Sequence, residues 1–162
     1  MDALERWTDF HVAMVGATAA LAGLVIVASS VNIAQIVKAA TITARLAAAI
    51  AGLVLAIVVA GVGLIPDIPA GWYGVAVLGA TAGAAGFQVH AAVVIMRDTS
   101  PAARARVLKS ALGFAPLAAY AAAGIAVFSD PSAAFVLGAI GCLVAIVSAI
   151  VMSWVALVEV LR

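Results

Sequence analysis

Residues 11–37, HVAMVGATAALAGLVIVASSVNIAQIV, decide the fold class. The stretch holds no Asp, Glu, Lys or Arg. At about 27 residues it is long enough to cross a bilayer core of roughly 30 Å as a helix. At 3.6 residues per turn, His11, Thr18, Ser29 and Asn32 fall along one side. Gly16, Ala20, Gly23, Ser30 and Ala34 fall along roughly the opposite side. Polar groups avoid lipid, and small residues let neighbouring helices approach closely. A helix with both kinds of face is expected to sit inside a bundle, with protein on two sides.

Composition extends that reading to the whole chain. Of 162 residues, 67% are hydrophobic and 9% charged, against about 25% charged in soluble domains. A water-soluble fold is excluded, and the expectation is an all-α integral membrane protein forming one domain over residues 1–162. A net charge of +1 gives no electrostatic footprint for nucleic acid. Cys142 is the only cysteine, so neither an internal disulfide nor a cysteine metal cluster can form within one chain. The opening MDALERWTDF is acidic, and the apolar run after it is longer than a signal-peptide core. It is expected to stay as the start of the first helix. Abundant Ala and Gly with few Lys point to a high-GC bacterial source.

Five apolar segments separate along the chain, at about 11–37, 45–65, 72–96, 107–128 and 133–158. Pro66-Asp67-Ile68-Pro69 and Ser129-Asp130-Pro131-Ser132 read as turns. Ser100-Pro101 and Asp130-Pro131 each place a capping residue before proline at a first helical position. Seven of the eight basic residues, including Lys38, Arg45, Arg97, Arg104 and Arg162, fall on one side of such a five-span chain. Arg6 alone falls on the other, which predicts an outer N-terminus and a cytoplasmic C-terminus. Trp7, Trp72, Tyr73 and Phe128 near one boundary and Trp154 near the other fit aromatic belts.

Small-residue stripes are expected to hold the bundle together. The third segment offers Gly79, Gly83, Gly86 and His90; the fifth offers Ala134, Gly138, Gly141, Ala145 and Ser148; the second offers Ala49, Gly52, Ala56, Ala60 and Gly63. Pro116 should kink the fourth helix or lie near its bend. No internal repeat marks an inverted-repeat transporter.

The candidate polar core or pore comprises Thr18, Ser29, Asn32, Gln35, Thr81, Gln88 and His90. His90, on the glycine stripe, reads either as a proton-handling or ligand-binding group or as a neutral imidazole bonded across a helix contact. Asn32 and His90 should lie at matching depth on parallel helices, so a bond from Asn32 to Gln88 or His90 is expected. His11 should be solvated at the outer edge. The two histidines near opposite faces cannot flank one haem. No acidic or basic residue lies in the middle of a segment, which disfavours proton-coupled transport. With no HExxH, Gly-x-Ser-x-Gly, P-loop or cluster of metal ligands, neither catalysis, a cofactor nor a metal is expected.

Trp7 to Ile33, WTDFHVAMVGATAALAGLVIVASSVNI, resembles the start of a group of short actinobacterial membrane proteins, some of them labelled modulator of FtsH protease. The resemblance implies a membrane-protein partner such as a membrane protease, and it assigns no site residues. The expected function is that of an accessory or regulatory subunit of the bacterial inner membrane. It would act through helix contacts within the lipid bilayer, with another membrane protein or with itself. The alternative is a small homo-oligomeric channel or uncoupled permease lined by polar residues of the first and third segments.

Overall fold

The computed structural model describes residues 7–97 and 106–160. Those residues form helices and turns, with no strand among them. In chain order the helices are α1 (Thr8–Val31), α2 (Ile33–Ile36), α3 (Ala40–Val62), α4 (Ala70–Arg97), α5 (Arg106–Ala126) and α6 (Pro131–Val160). Four of them, α1, α3, α4 and α6, are long and apolar enough to cross a membrane. The apolar part of α5, Ser110–Ala126, is shorter.

α3, α4, α5 and α6 form a closed ring in which each packs on the next and α6 returns to α3. α1 lies outside this ring, along α3 and the edge of α6. The ring is filled by Leu55, Tyr73, Val77, Leu117, Tyr120, Phe135, Cys142 and Ala145. The outer surface of the bundle, α1 included, carries exposed Leu24, Val31, Ile125, Leu143 and Val147. Apolar cover of that extent belongs against lipid rather than water.

Helix boundaries follow local chemistry. The first apolar segment is two helices, because α1 stops at Asn32 (φ −113°, ψ 22°) and only the four-residue α2 follows. Just before the break, Ser29 donates to the Val25 carbonyl at 2.7 Å and Ser30 to the Val27 carbonyl at 2.7 Å. Such back-bonding competes with the helix ladder and weakens the turn that carries it. α3 begins at Ala40, earlier than the expected start at Arg45, so Arg45 lies inside the helix. In the turn before α4, Asp67 adopts φ 54°, a left-handed conformation that Asp tolerates better than most residues. The Asp130 carboxylate caps α6, accepting from the Ser132 and Ala133 amides at 3.0 and 3.2 Å, with Pro131 at the first helical position. Pro116 lies inside α5, which continues through it. The Ser100-Pro101 start, Arg104 and Arg162 lie outside the described residues.

Candidate functional site

The polar residues singled out from the sequence do not converge. Thr18 and Thr81 are buried, and each hydroxyl donates to its own helix, to the Met14 carbonyl at 2.5 Å and the Val77 carbonyl at 2.7 Å. Ser29 does likewise. Gln35 is exposed on α2, and Asn32 sits at the α1–α2 break. The expected bond from Asn32 to Gln88 or His90 is absent among the described residues. α1 packs on α3 and α6 rather than on α4, and Gln88 turns the other way, its Nε2 donating to the Ser110 carbonyl of α5 at 3.4 Å. His90 is exposed on the outside of α4.

The orientation of α4 has a physical cause. Gln88 and His90 stand about 200° apart around the helix, so one rotation cannot bury both. Turning Gln88 and Thr81 inward removes the amide and hydroxyl from lipid and gives the amide an acceptor. The cost is that His90, Gly79, Gly83 and Gly86 face out. A Cβ added at Gly79, Gly83 or Gly86 would meet nothing within 4 Å, which corrects the expectation that this stripe is an internal helix contact. α1 behaves alike. His11, Thr18, Ala22 and Val25 face the bundle, and Gly16 and Gly23 are open on the far side. Among the described residues, nothing packs within 4 Å of a Cβ placed at Gly16 or Gly23 on that face of α1.

Close packing falls to other glycines. A Cβ on Gly74 of α4 would collide with Val127 Cγ1 and lie 3.1 Å from the Gly124 carbonyl oxygen. One on Gly124 of α5 would lie 2.7 Å from Leu78 Cγ. One on Gly141 of α6 would lie 3.1 Å from the Tyr120 ring, and one on Gly138 would lie 3.8 Å from the Tyr73 hydroxyl. The missing side chain of Gly113 makes room for the Gln88 amide.

His11 differs from expectation as well. It is 5% exposed, with its ring centroid 6.0 Å from Phe10 and 6.3 Å from Phe135. Its imidazole lies against Gly63, where a Cβ would come within 2.8 Å of Nε2. Neither ring nitrogen has a hydrogen-bond partner.

The ring of helices encloses one polar feature that the sequence did not announce. Arg45 is 6% exposed, and its Nη2 lies 3.7 Å from the Met152 sulfur. Together with Gln88, Gly113, Pro116, Ser148 and Met152 it borders a cavity of about 40 Å³ between α3, α4, α5 and α6. A water needs roughly 10–15 Å³ of such volume, so the cavity accommodates a few waters and no larger solute. The inward faces of α4 and α5, which supply Gln88 and Gly113 to the cavity, carry a spacing signal in the sequence. Gly74, Thr81 and Gln88 recur at intervals of seven, as do Gly113, Tyr120 and Val127, and such repeats mark the inward seam of packed helices. Arg45 itself was hidden by its count among the loop charges.

Cys142 is buried beside Tyr120 and no histidine lies near it. Among the described residues no three His, Cys, Asp or Glu side chains come together to hold a metal. No known protein family, curated protein or solved structure matches the chain.

Proposed function

We propose that this chain is a five-span protein of the bacterial inner membrane, N-terminus out and C-terminus in. In this reading it serves as a non-enzymatic accessory or regulatory subunit that docks through α1 and α4 onto another membrane protein, for instance a membrane protease, or onto itself. The observation that carries the reading is the open pair of small-residue faces, Gly16 and Gly23 on α1 and Gly79, Gly83 and Gly86 on α4. Within lipid, surfaces of that kind associate by van der Waals packing. The packing of α5 between α4 and α6 supports reading it as the fifth span. The division of basic residues supplies the orientation. Among the described residues the polar side chains of α1 and α4 do not come together, and the accessory reading is preferred to a channel on that ground.

Photocrosslinkers placed at Gly23 and Gly79 in cells, with the fully buried Ala56 as control, test the proposal. Adducts with one defined membrane protein, or with a second copy, at 23 and 79 and none at 56 are expected. Solute flux through liposomes that contain only this protein, without such adducts, would replace this reading with the channel. Reporter fusions at Ser132 and at the C-terminus should report opposite compartments; a shared compartment refutes the fifth span.

A further inference from the structure

An apolar groove runs between α3 and α4 on the outside of the ring. Its volume is about 540 Å³, and Ala47, Ala51, Val54, Val58, Gly83 and Phe87 are among its walls. Every side chain lining it is aliphatic or aromatic. From Ala47 to Val58 it extends about 17 Å along α3 at 1.5 Å per residue. That is roughly half of the 30 Å hydrocarbon core. A groove of that length and lining suits an extended acyl chain lying along α3.

Beyond the groove, the outward side of α4 carries two polar residues. His90 follows Gly83 by seven residues and Phe87 by three, and Arg97 follows His90 by another seven, so all four lie toward one side of α4. Both His90 and Arg97 are exposed. An imidazole on a lipid-facing surface is costly unless something accepts or donates a hydrogen bond. It lies about 10 Å below the Arg97 level by helical rise. We propose that this groove binds one anionic phospholipid, with an acyl chain between α3 and α4, glycerol ester oxygens near His90 and the phosphate at Arg97. Chain length, apolar lining and a cation at one end together match one lipid molecule. At this groove a second copy of this chain fits less well, so the protein docking proposed above uses α4 beside it, at Gly79 and Gly86. A two-fold pairing across this face would bring Arg97 against Arg97 and His90 against His90 on one side of the membrane.

The test uses the full chain, extracted in mild detergent, delipidated and reconstituted into phosphatidylcholine vesicles with phosphatidylglycerol as a minor component. Native mass spectrometry then reads the lipid released with the protein. One phosphatidylglycerol per chain is expected, enriched over its share of the vesicle. Arg97→Gln should reduce that enrichment about fivefold, the factor expected of one basic side chain at an anionic lipid surface. Ala51→Phe, which fills the groove from α3, should remove the bound lipid, with far-ultraviolet circular dichroism confirming that the variant keeps its helices. A second filling variant, Gly83→Phe, acts from the opposite wall and should do the same. Retention of lipid without preference for the anionic headgroup, retention undiminished in both filled variants, or a dimer in place of bound lipid each overturns the proposal.

Discussion

The crossing of α4 and α5 at Gly74 and Gly124 gives the sharpest test of the packing argument. Gly74→Ala adds one methyl group where it would meet Val127 Cγ1, the Gly124 carbonyl oxygen at 3.1 Å and Phe128 Cε2 at 3.2 Å. Val127 is 3% exposed and has little room to turn away. A carbonyl in a helix ladder cannot yield without its own helix moving. Overpacking of this sort costs about 1–3 kcal/mol. Alanine returns up to about 1 kcal/mol of intrinsic helix propensity, so the net loss should be about 0–2 kcal/mol. Gly83→Ala is the matched control: the same propensity gain, the same helix and open space around the new methyl. It should be neutral or stabilising by up to about 1 kcal/mol. Equilibrium unfolding in mixed micelles, followed by circular dichroism as SDS is titrated in, compares the two directly. If Gly83→Ala destabilises as much as Gly74→Ala, the glycine stripe of α4 is an internal contact and the helix orientation described above is wrong.

Gly113→Ala should destabilise because its methyl would occupy the space of the Gln88 amide; adding Gln88→Ala should recover part of that loss, a non-additivity visible in the same unfolding assay. Gln88→Leu alone should cost roughly 0.6 kcal/mol, the average for a hydrogen bond between membrane helices. His90→Phe and Asn32→Leu touch separate surroundings, so their effects on stability should add; strong coupling in a double-mutant cycle would restore the pairing expected from the sequence. The Asp130 carboxyl is held below its usual value by its bonds to the Ser132 hydroxyl and the Ala133 and Ser132 amides. A depressed carboxyl stabilises the fold above its unfolded value, and that contribution disappears as pH falls below the usual 3.8. Thermal scans should therefore show a loss on acidification in the native chain that is smaller in Asp130→Ala.

Much of the architecture is legible in the sequence because the bilayer leaves few options. Runs such as Leu53–Val62, with no charge, must be helical and must be long. The cap at Asp130-Pro131 is equally local, since carboxylate and proline act on the turn that contains them. Helix rotation is harder to read. On α4 the glycine stripe and the Thr81–Gln88 stripe occupy opposite faces, and either could have pointed inward by periodicity alone. The choice rests on an acceptor, the Ser110 carbonyl, that another helix supplies. Similarly, the role of Gly74 depends on Gly124 some fifty positions away. Arg45 was misplaced because a charge near a helix end looks the same in sequence whether it snorkels or turns inward. His11 was misplaced for the related reason that the aromatic ring of Phe135 comes from the last helix.

The closed ring also has a temporal side. Each helix from α3 to α5 meets its neighbour as soon as that neighbour is made, but the contact that shuts the ring joins α3 to α6. The walls around Arg45 that come from α6, Ser148 and Met152 among them, are the last to be synthesised. At bacterial translation speeds of about 5–20 residues per second, α3 waits on the order of 5–20 s for them. For that interval Arg45 has no fourth wall, and its charge is best accommodated with α3 riding toward the membrane surface. Docking of α6 then adds that wall and encloses the guanidinium. A nascent chain arrested before Pro131 should leave Arg45 reachable by aqueous reagents, and one in which α6 has emerged and docked should hide it.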